Sequence, residues 1–348
     1  MTAPSDSGSS GAAAVRHWDG HDVVDLHVHY YTDDYVEAVR NSNRVGTYRR
    51  GDGRLVVTWR SGVALTVVDP HPGPAQRLEM MDEVGIDMQV LSIPSPNAYF
   101  LDPEEADPFA RRINTEFAEI VRAHPDRFGA LAMAPLHDPI AAIGVVAHAV
   151  DDLGMHGVHI LSNINGMPLD DPALDPFWEA ADDRSLLVYV HPTVPDAPHL
   201  DRQALSIAVG FFNETPLTVA RLAYSGHFER WPNIRWVFSH LGGTLPMLLA
   251  RLDSYWRQFE DCRADAPKPP STYARDLVFD TASKSEPSLC CAAEVLGTDR
   301  LVFGTDYPHV PGGSEPYLEA LGCLGLSGSD LSGLLGGRAR RLLDGQRI

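Results

Sequence analysis

Short apolar runs recur along the chain, and most of them are followed by a segment with the three-to-four-residue apolar spacing of an amphipathic helix. The runs that predict strands lie at 23–27, 88–93, 130–134, 157–161, 186–191, 234–240, 277–281 and 301–306. Helical spacing predicts helices at 33–40, 74–84, 103–123, 139–153, 172–183, 201–228, 244–259 and 286–296, with further helices at 317–321, 331–336 and 339–343. Eight strands, each followed by helical sequence, predict an α/β fold of the (β/α)8 TIM-barrel type.

Two segments depart from this alternation. Residues 41–68 are polar and rich in Gly and Arg, with β-branched residues alternating in Arg54–Trp59 and Ala64–Val68, which predicts a small hairpin inserted after the first strand. Residues 1–20 are mainly Ser, Gly, Ala and Thr, which predicts a flexible N-terminal tail. We therefore expect one barrel domain over residues 21–348.

Composition narrows the classes of protein that fit. The 348 residues are 44% hydrophobic, which suffices for one large core, and barrels of this length are commonly a single domain. A net charge of −19 argues against nucleic acid and anionic membrane as partners. No apolar stretch has the length of about 18 residues that predicts a membrane span, and the four cysteines lack CxxC spacing. These features predict a soluble cytoplasmic protein with free thiols.

Polar side chains recur where the predicted strands end. His27 and His29 share one face of the first strand, because side chains alternate along a strand. His191, His240 and Asp306 each end a later apolar run. Catalytic groups of such barrels lie at the carboxyl ends of the strands, and paired imidazoles can form half of a divalent-metal site. Each residue alone also fits a structural histidine or a capping aspartate.

Two further histidines have less decisive positions. His159 lies inside the fourth predicted strand instead of at its end, and its role stays open. His309 follows Asp306 by three residues and could reach the same cavity.

Four motifs resemble the amidohydrolase superfamily, and within it the branch of aminocarboxymuconate-semialdehyde decarboxylase and related non-oxidative decarboxylases. They are Asp25-x-His27-x-His29, Val190-His191-Pro192, Ser239-His240-Leu241-Gly242-Gly243 and Gly304-Thr305-Asp306-Tyr307-Pro308, and the resemblance runs from about residue 22 to 345. It implies that His27, His29, His191 and Asp306 bind one divalent metal, most often Zn²⁺ with Mn²⁺ as the alternative. It also implies that His240 is a catalytic residue outside the ligand set and that Asp306 could share its role. Because neither lysine, Lys268 or Lys284, lies on a predicted strand, a mononuclear site is favoured over a binuclear one.

The same resemblance bears on the substrate. Arg251 stands eleven residues after His240, where the aminocarboxymuconate enzymes donate an arginine across a dimer interface to a substrate carboxylate; a solvated helix arginine is the alternative. Those enzymes carry a second substrate arginine in the insertion, and here only Arg60 lies near that place. Residues 211–215 resemble instead the segment of salicylate- and resorcylate-type decarboxylases. We therefore expect a homodimer that acts on a small aromatic or conjugated carboxylic acid.

Three functions fit these residues. The first is non-oxidative decarboxylation, with the metal stabilising the negative charge that develops as CO₂ leaves. The second is hydrolysis of an ester, lactone or amide by a metal-activated water, with Asp306 as general base. The third, a metal-free binding barrel, requires the five residues at the strand ends to be incidental.

Overall fold

A computed structural model describes residues 16–60, 62–68, 71–309 and 313–348, and in these residues eight parallel strand segments surround the centre of the molecule. The strands are β1 (Val24–His29), β2 (Gly46–Arg49), β3 (Leu55–Trp59), β4 (Gly62–Val67), β5 (Met88–Ser92), β6 (Phe128–Ala130), β7 (Ala132–Met133), β8 (Val158–Leu161), β9 (Asn163–Ile164), β10 (Met167–Pro168), β11 (Leu187–His191), β12 (Arg235–Phe238), β13 (Val278–Asp280) and β14 (Leu301–Val302). The barrel order is β1, β5, β6–β7, β8, β11, β12, β13 and β14, which follows the chain.

Backbone hydrogen bonds join the first strand to the segment that contains and follows the last. The Leu26 amide donates to the Phe303 carbonyl at 3.0 Å, and the Asp306 amide donates to the His27 carbonyl at 2.8 Å. Val28 forms a parallel bridge with Tyr307. The α/β barrel predicted from the apolar runs is confirmed.

Helices separate the strands and cover the outside of the barrel. They are α1 (Asp33–Asn41), α2 (Pro74–Val84), α3 (Pro103–Ala123), α4 (Pro139–Ala147), α5 (Asp175–Asp183), α6 (Phe212–Tyr224), α7 (His227–Arg230), α8 (Leu245–Gln258), α9 (Pro270–Ala274), α10 (Glu286–Leu296), α11 (Glu315–Ala320), α12 (Gly328–Ser332) and α13 (Arg338–Leu343). The bounds of α2, α3 and α10 are those predicted, and each of these helices has Pro in its first turn.

The long helix predicted at 201–228 is wrong as a single element. A π-helical stretch, Ser206–Phe211, precedes α6, and Gly226 separates α6 from α7. Gly226 has φ +68°, and a Cβ there would lie 2.2 Å from the Asp265 carbonyl oxygen. The chain therefore turns at the one residue type that tolerates both conditions.

The predicted hairpin is confirmed as the antiparallel pair β3–β4, and β2 adds a third antiparallel strand to it. The additional strand β2 is exposed along its whole length, so it lacks the apolar alternation that reveals a half-buried strand. The Ser206 hydroxyl donates to the Val63 carbonyl at 3.0 Å and attaches the insertion to the segment after β11.

Residues 1–15 of the predicted tail lie outside the described residues. Residues 16–20 form a turn, in which Trp18 is buried and its indole N–H donates to the Val84 carbonyl at 3.0 Å. This end of the predicted tail therefore packs against α2.

The core has two layers, because the barrel strands are buried on both faces. Val24, Leu26, Val90 and Leu187 belong to the cluster inside the barrel, whereas residues such as Trp178 pack between strands and helices. Within the described parts of the chain, no helix combines the length and apolar character needed to cross a bilayer.

Candidate metal centre

Four predicted ligands come together at the carboxyl ends of the strands. One ligand atom from each of His27, His29, His191 and Asp306 lies within 4.8 Å of the other three. The Nε2 atoms of His27 and His29 are 3.1 Å apart, and Asp306 Oδ1 lies 3.0 Å from His29 Nε2. All three imidazoles are buried. The residues come from β1, β11 and the segment after β14, so strands far apart in sequence supply one cluster.

The segment that carries Asp306 is held by buried polar contacts. The carboxylate of Asp25 accepts hydrogen bonds from the Thr305 hydroxyl at 2.6 Å and the Thr305 amide at 3.0 Å. Asp306 itself has φ +63°, and the regular strand predicted to 306 ends at Val302. At Gly304 a Cβ would lie 2.7 Å from the Cβ of His27, so glycine is needed where this segment crosses β1. Burial raises the pKa of Asp25 to about 7.

The Nδ1 atom of each predicted histidine ligand has a partner of its own. His27 Nδ1 lies 2.9 Å from Asp280 Oδ2, His29 Nδ1 lies 3.0 Å from the Ser92 hydroxyl, and His191 Nδ1 lies 2.7 Å from the Pro192 carbonyl. Since the Ser92 hydroxyl donates to the Val28 carbonyl, its oxygen accepts from His29. Each Nδ1 therefore carries the proton, and each Nε2 directs a lone pair into the cluster.

This arrangement fits a bound cation. Among the residues that the structure describes, Nε2 of His191 and Oδ1 of Asp306 are buried without a hydrogen-bond partner. Three converging lone pairs and a carboxylate oxygen repel one another unless a positive charge lies between them. Neutral imidazole and carboxylate are the ligands that Zn²⁺ and similar divalent metals accept. The four side chains therefore form a candidate site for one divalent metal.

Electrostatics in the site agree with neutral imidazoles at His29 and His191 beside an ionised carboxylate. Burial lowers the pKa of both His29 and His191 well below the ordinary value. Burial alone would raise the pKa of Asp306, but the facing His240 and His29 imidazoles hold it well below its usual range. At His27 burial is outweighed by the Asp280 carboxylate, which raises its pKa. A metal at Nε2 would supply the positive charge that Asp280 favours there.

His240 lies beside the cluster without joining it. Its Nε2 is 3.5 Å from Asp306 Oδ2, and its ring centroid is 4.9 Å from that of His27. The Ser239 hydroxyl lies 3.0 Å from His240 Nδ1, and the His240 amide donates to Asp280 Oδ1 at 2.9 Å. The ring of Phe212 lies 5.6 Å from that of His240. The imidazole can thus exchange a proton with a molecule bound in front of the metal ligands.

Asp280 and Ser92 were missed in the sequence, although the rule that found the ligands applies to both. Each is the last residue of a barrel strand, β13 or β5, and each is buried. Asp280 also accepts from the Tyr189 hydroxyl and from the Ala282 amide at 2.8 Å. One carboxylate therefore positions both a predicted metal ligand and the backbone of His240.

The two predicted substrate arginines have other partners in the single chain. Arg251 is exposed on α8, and its Nη2 donates to the Tyr255 hydroxyl at 2.9 Å. Arg60 lies at the turn between β3 and β4, and its Nη2 is 3.1 Å from Asp196 Oδ2. The ion pair connects the insertion to the loop after β11.

The two histidines with open roles both lie beside the cluster. The ring of His159 stacks on Tyr189 and is 5.7 Å from that of His29, and neither of its nitrogens has a hydrogen-bond partner within the described part of the chain. The ring of His309 is 5.1 Å from that of His29, its Nδ1 donates to the Thr66 carbonyl at 3.1 Å, and its Nε2 accepts from the Tyr31 hydroxyl. His309 thereby connects the insertion to the cluster.

Sequence comparison with known proteins assigns this chain to a family. A sequence model described as amidohydrolase matches residues 24–345. The chain belongs to the amidohydrolase family. The matched range covers all eight barrel strands and every predicted ligand.

Relatives of this amidohydrolase are decarboxylases. It is 29% identical over 273 residues to 2-amino-3-carboxymuconate-6-semialdehyde decarboxylase of Dictyostelium discoideum, which covers 78% of this chain and 76% of the relative. It is 32% identical over 252 residues to gamma-resorcylate decarboxylase of Rhizobium sp., covering 67% and 76%. The superfamily and branch predicted from the four motifs are confirmed.

A solved structure has the same fold. Dihydroxybenzoic acid decarboxylase of Polaromonas sp., with bound manganese and the inhibitor 2-nitroresorcinol, superposes with a TM-score of 0.78 at 24% identity. The superposition covers 93% of this chain and 97% of that one.

Proposed function

We propose that this amidohydrolase is a metal-dependent, non-oxidative decarboxylase that removes CO₂ from a small aromatic or conjugated carboxylic acid. The observation that carries the proposal is the juxtaposition of the four-ligand cluster with a separate buried imidazole, His240. The relatives support the reaction class, because they are decarboxylases of resorcylate and of carboxymuconate semialdehyde. Phe211 and Phe212, whose rings lie 5.8 Å from His191 and 5.6 Å from His240, offer apolar surfaces for a conjugated substrate.

In this proposal His27, His29, His191 and Asp306 hold one divalent ion, with zinc expected and manganese, which the Polaromonas enzyme binds, as the alternative. When bound, the ion supplies a fixed positive charge that stabilises negative charge developing on the substrate.

His240 supplies the proton. The bond between the substrate carbon and its carboxylate breaks, the electron pair stays with the substrate, and a proton from His240 Nε2 is delivered to that carbon as CO₂ leaves. A histidine suits this transfer because its ordinary pKa lies near neutrality. Asp306 Oδ2 lies 3.5 Å from His240 Nε2. This carboxylate orients the imidazole and shares its proton.

Recognition of the acid is proposed for Arg251, acting in a homodimer. Met247, Arg251 and Tyr255 recur at four-residue intervals on α8, and Met247 is 78% exposed. Pairing of this face in two copies would bury the apolar side chains and bring the guanidinium toward the partner's cavity. Arg60 would have to break its ion pair with Asp196 before it could bind a substrate carboxylate.

The test is a screen of aromatic acids for CO₂ release by the purified, metal-loaded protein, run beside esters, lactones and amides. We expect CO₂ release without hydrolysis. His240→Asn should retain the metal and lose turnover, whereas His191→Ala should lose both. Hydrolysis without CO₂ release would favour the metal-activated water, and a chain fully stable to chelator with substoichiometric metal would favour a binding barrel. The cytoplasmic location remains a prediction that cell fractionation can test.

A further inference from the structure

Two of the four cysteines meet on the outer surface of the barrel. Cys290 is exposed on α10, and Cys323 is partly buried in the short 3₁₀ turn Leu321–Leu324. Their Sγ atoms are 3.4 Å apart. Cys323 Sγ also lies 3.6 Å from the Glu286 carbonyl oxygen, and Cys290 Sγ lies 3.9 Å from the Cys323 carbonyl oxygen. Both thiols therefore lie side by side where α10 packs against the turn.

We propose that Cys290 and Cys323 are a modification site. A low-molecular-weight disulfide oxidises the two thiols, and the Cys290–Cys323 disulfide that results reversibly cross-links α10 to the 321–324 turn. A disulfide requires an Sγ–Sγ separation of about 2.05 Å, so the sulfurs must approach by roughly 1.4 Å. Rotation of two short side chains at the surface can supply that movement. Cys291 follows Cys290 on the helix and points about 100° away around its axis, so it does not compete for the same partner.

The step balances as two thiol–disulfide exchanges. The Cys290 thiolate attacks one sulfur of the oxidant, a mixed disulfide forms, and the first small thiol leaves. The Cys323 thiolate then attacks the Cys290 sulfur and releases the second small thiol. Two electrons and the two cysteine protons pass to the oxidant, which becomes two thiols.

Burial gives the two sulfurs different roles. It raises the pKa of Cys323 to about 11, and contact with Cys290 adds to the effect. Because the thiolate is the reacting form, exposed Cys290 is the first attacker and Cys323 the resolving thiol. The closure step should therefore accelerate as the pH rises from 7 toward 9.

The cross-link would restrain a segment connected to the metal centre without entering it. The helix α10 follows β13, which ends in Asp280, and it contacts the His240–Gly242 segment. The other end of the link precedes α12 and α13, which close the C-terminal part of the fold. A disulfide here reduces the entropy of the unfolded chain, so the oxidised protein should unfold at a temperature roughly 3–6 °C higher.

The experiment treats the full chain with oxidised glutathione at several pH values and follows free thiols, peptide masses and Tm. We expect the free thiols to fall from four to two per chain, a 290–323 linked peptide, a higher Tm and full reversal by dithiothreitol. Cys290→Ser and Cys323→Ser should each abolish the linked peptide and the Tm shift, whereas Cys262→Ser and Cys291→Ser should retain both. A glutathione adduct that persists on Cys290 while Cys323 stays free, or a 290–291 or intermolecular link, would overturn the proposal.

Discussion

Replacement of Asp280 by Asn tests whether one carboxylate prepares the metal centre. The side chain is fully buried and accepts from His27 Nδ1 at 2.9 Å, the His240 amide at 2.9 Å, the Ala282 amide at 2.8 Å and the Tyr189 hydroxyl. All four groups are donors in this arrangement. A carboxylate can accept from all of them, whereas an amide side chain offers only one oxygen.

The Asp280→Asn substitution should change the tautomer of His27. If the oxygen of the introduced amide stays toward the two backbone amides, its NH₂ group faces His27 Nδ1, and the two donors conflict. His27 can relieve the conflict only by moving its proton to Nε2, which removes the lone pair from the metal cluster. Loss of such a supporting contact typically lowers metal affinity about 10–100-fold, which corresponds to about 1.4–2.8 kcal/mol. We expect Asp280→Asn to fall in or above this range because it also disturbs the backbone of His240.

The assay is competition for Zn²⁺ and for Mn²⁺ against a chelator of known affinity, in the wild type and in three variants. Tyr189→Phe keeps the carboxylate and removes one donor, so its metal affinity should change far less than that of Asp280→Asn. Asp276→Asn, at an exposed aspartate, controls for loss of charge. Urea unfolding in excess metal separates a change in affinity from a change in folding. Wild-type metal affinity in a folded Asp280→Asn protein would refute the proposed role of Asp280.

Three further changes probe other parts of the molecule. Burial raises the pKa of Glu214 above its unfolded value, so the contribution of this carboxyl to stability is full at low pH and is lost as pH rises through the folded pKa. Glu214→Gln should therefore stabilise the protein more at about pH 7.5 than at about pH 4.5. Urea unfolding at the two pH values measures this, and an equal effect at both would contradict it. Gly304→Ala places a Cβ 2.7 Å from a β1 side chain and should cost about 1–3 kcal/mol with reduced metal content, whereas Gly51→Ala, with open space around it, should do neither. Met247→Asp puts a charge into the proposed dimer face and should yield monomers of low activity in sedimentation and turnover assays. Ile140→Asp, at an exposed position on α4, is the matched control. An unchanged dimer in Met247→Asp would show that this face is not the interface.

Much of the fold was available from local sequence pattern. A barrel strand is buried on both faces and a covering helix on one, and both conditions leave periodic signals within a few residues. The bounds of α2 and α10 could be predicted closely because Pro at the start and Gly after the end mark them. The strand β2 was missed because it is exposed and carries no such signal.

The candidate metal ligands could also be named from the sequence. Alternation on β1 puts His27 and His29 on one face, and the rule that polar groups end barrel strands adds His191, His240 and Asp306. The resemblance to the amidohydrolase motifs then set His240 apart from the other four, the predicted ligands. Their meeting within 4.8 Å follows once the strand order is that of a closed barrel.

The groups that support those ligands, and the partners of the remaining polar side chains, could be located only in the packed molecule. Asp280 meets His27 across 253 positions of sequence, Arg60 pairs with Asp196, and Cys290 meets Cys323. Such contacts depend on how elements pack and on side-chain rotamers, and neither leaves a periodic trace in the chain. Local sequence therefore sufficed for the barrel, because burial and alternation are local properties, and the motif resemblance added the predicted ligand set. The groups that contact those ligands from distant strands could be identified only in the folded structure.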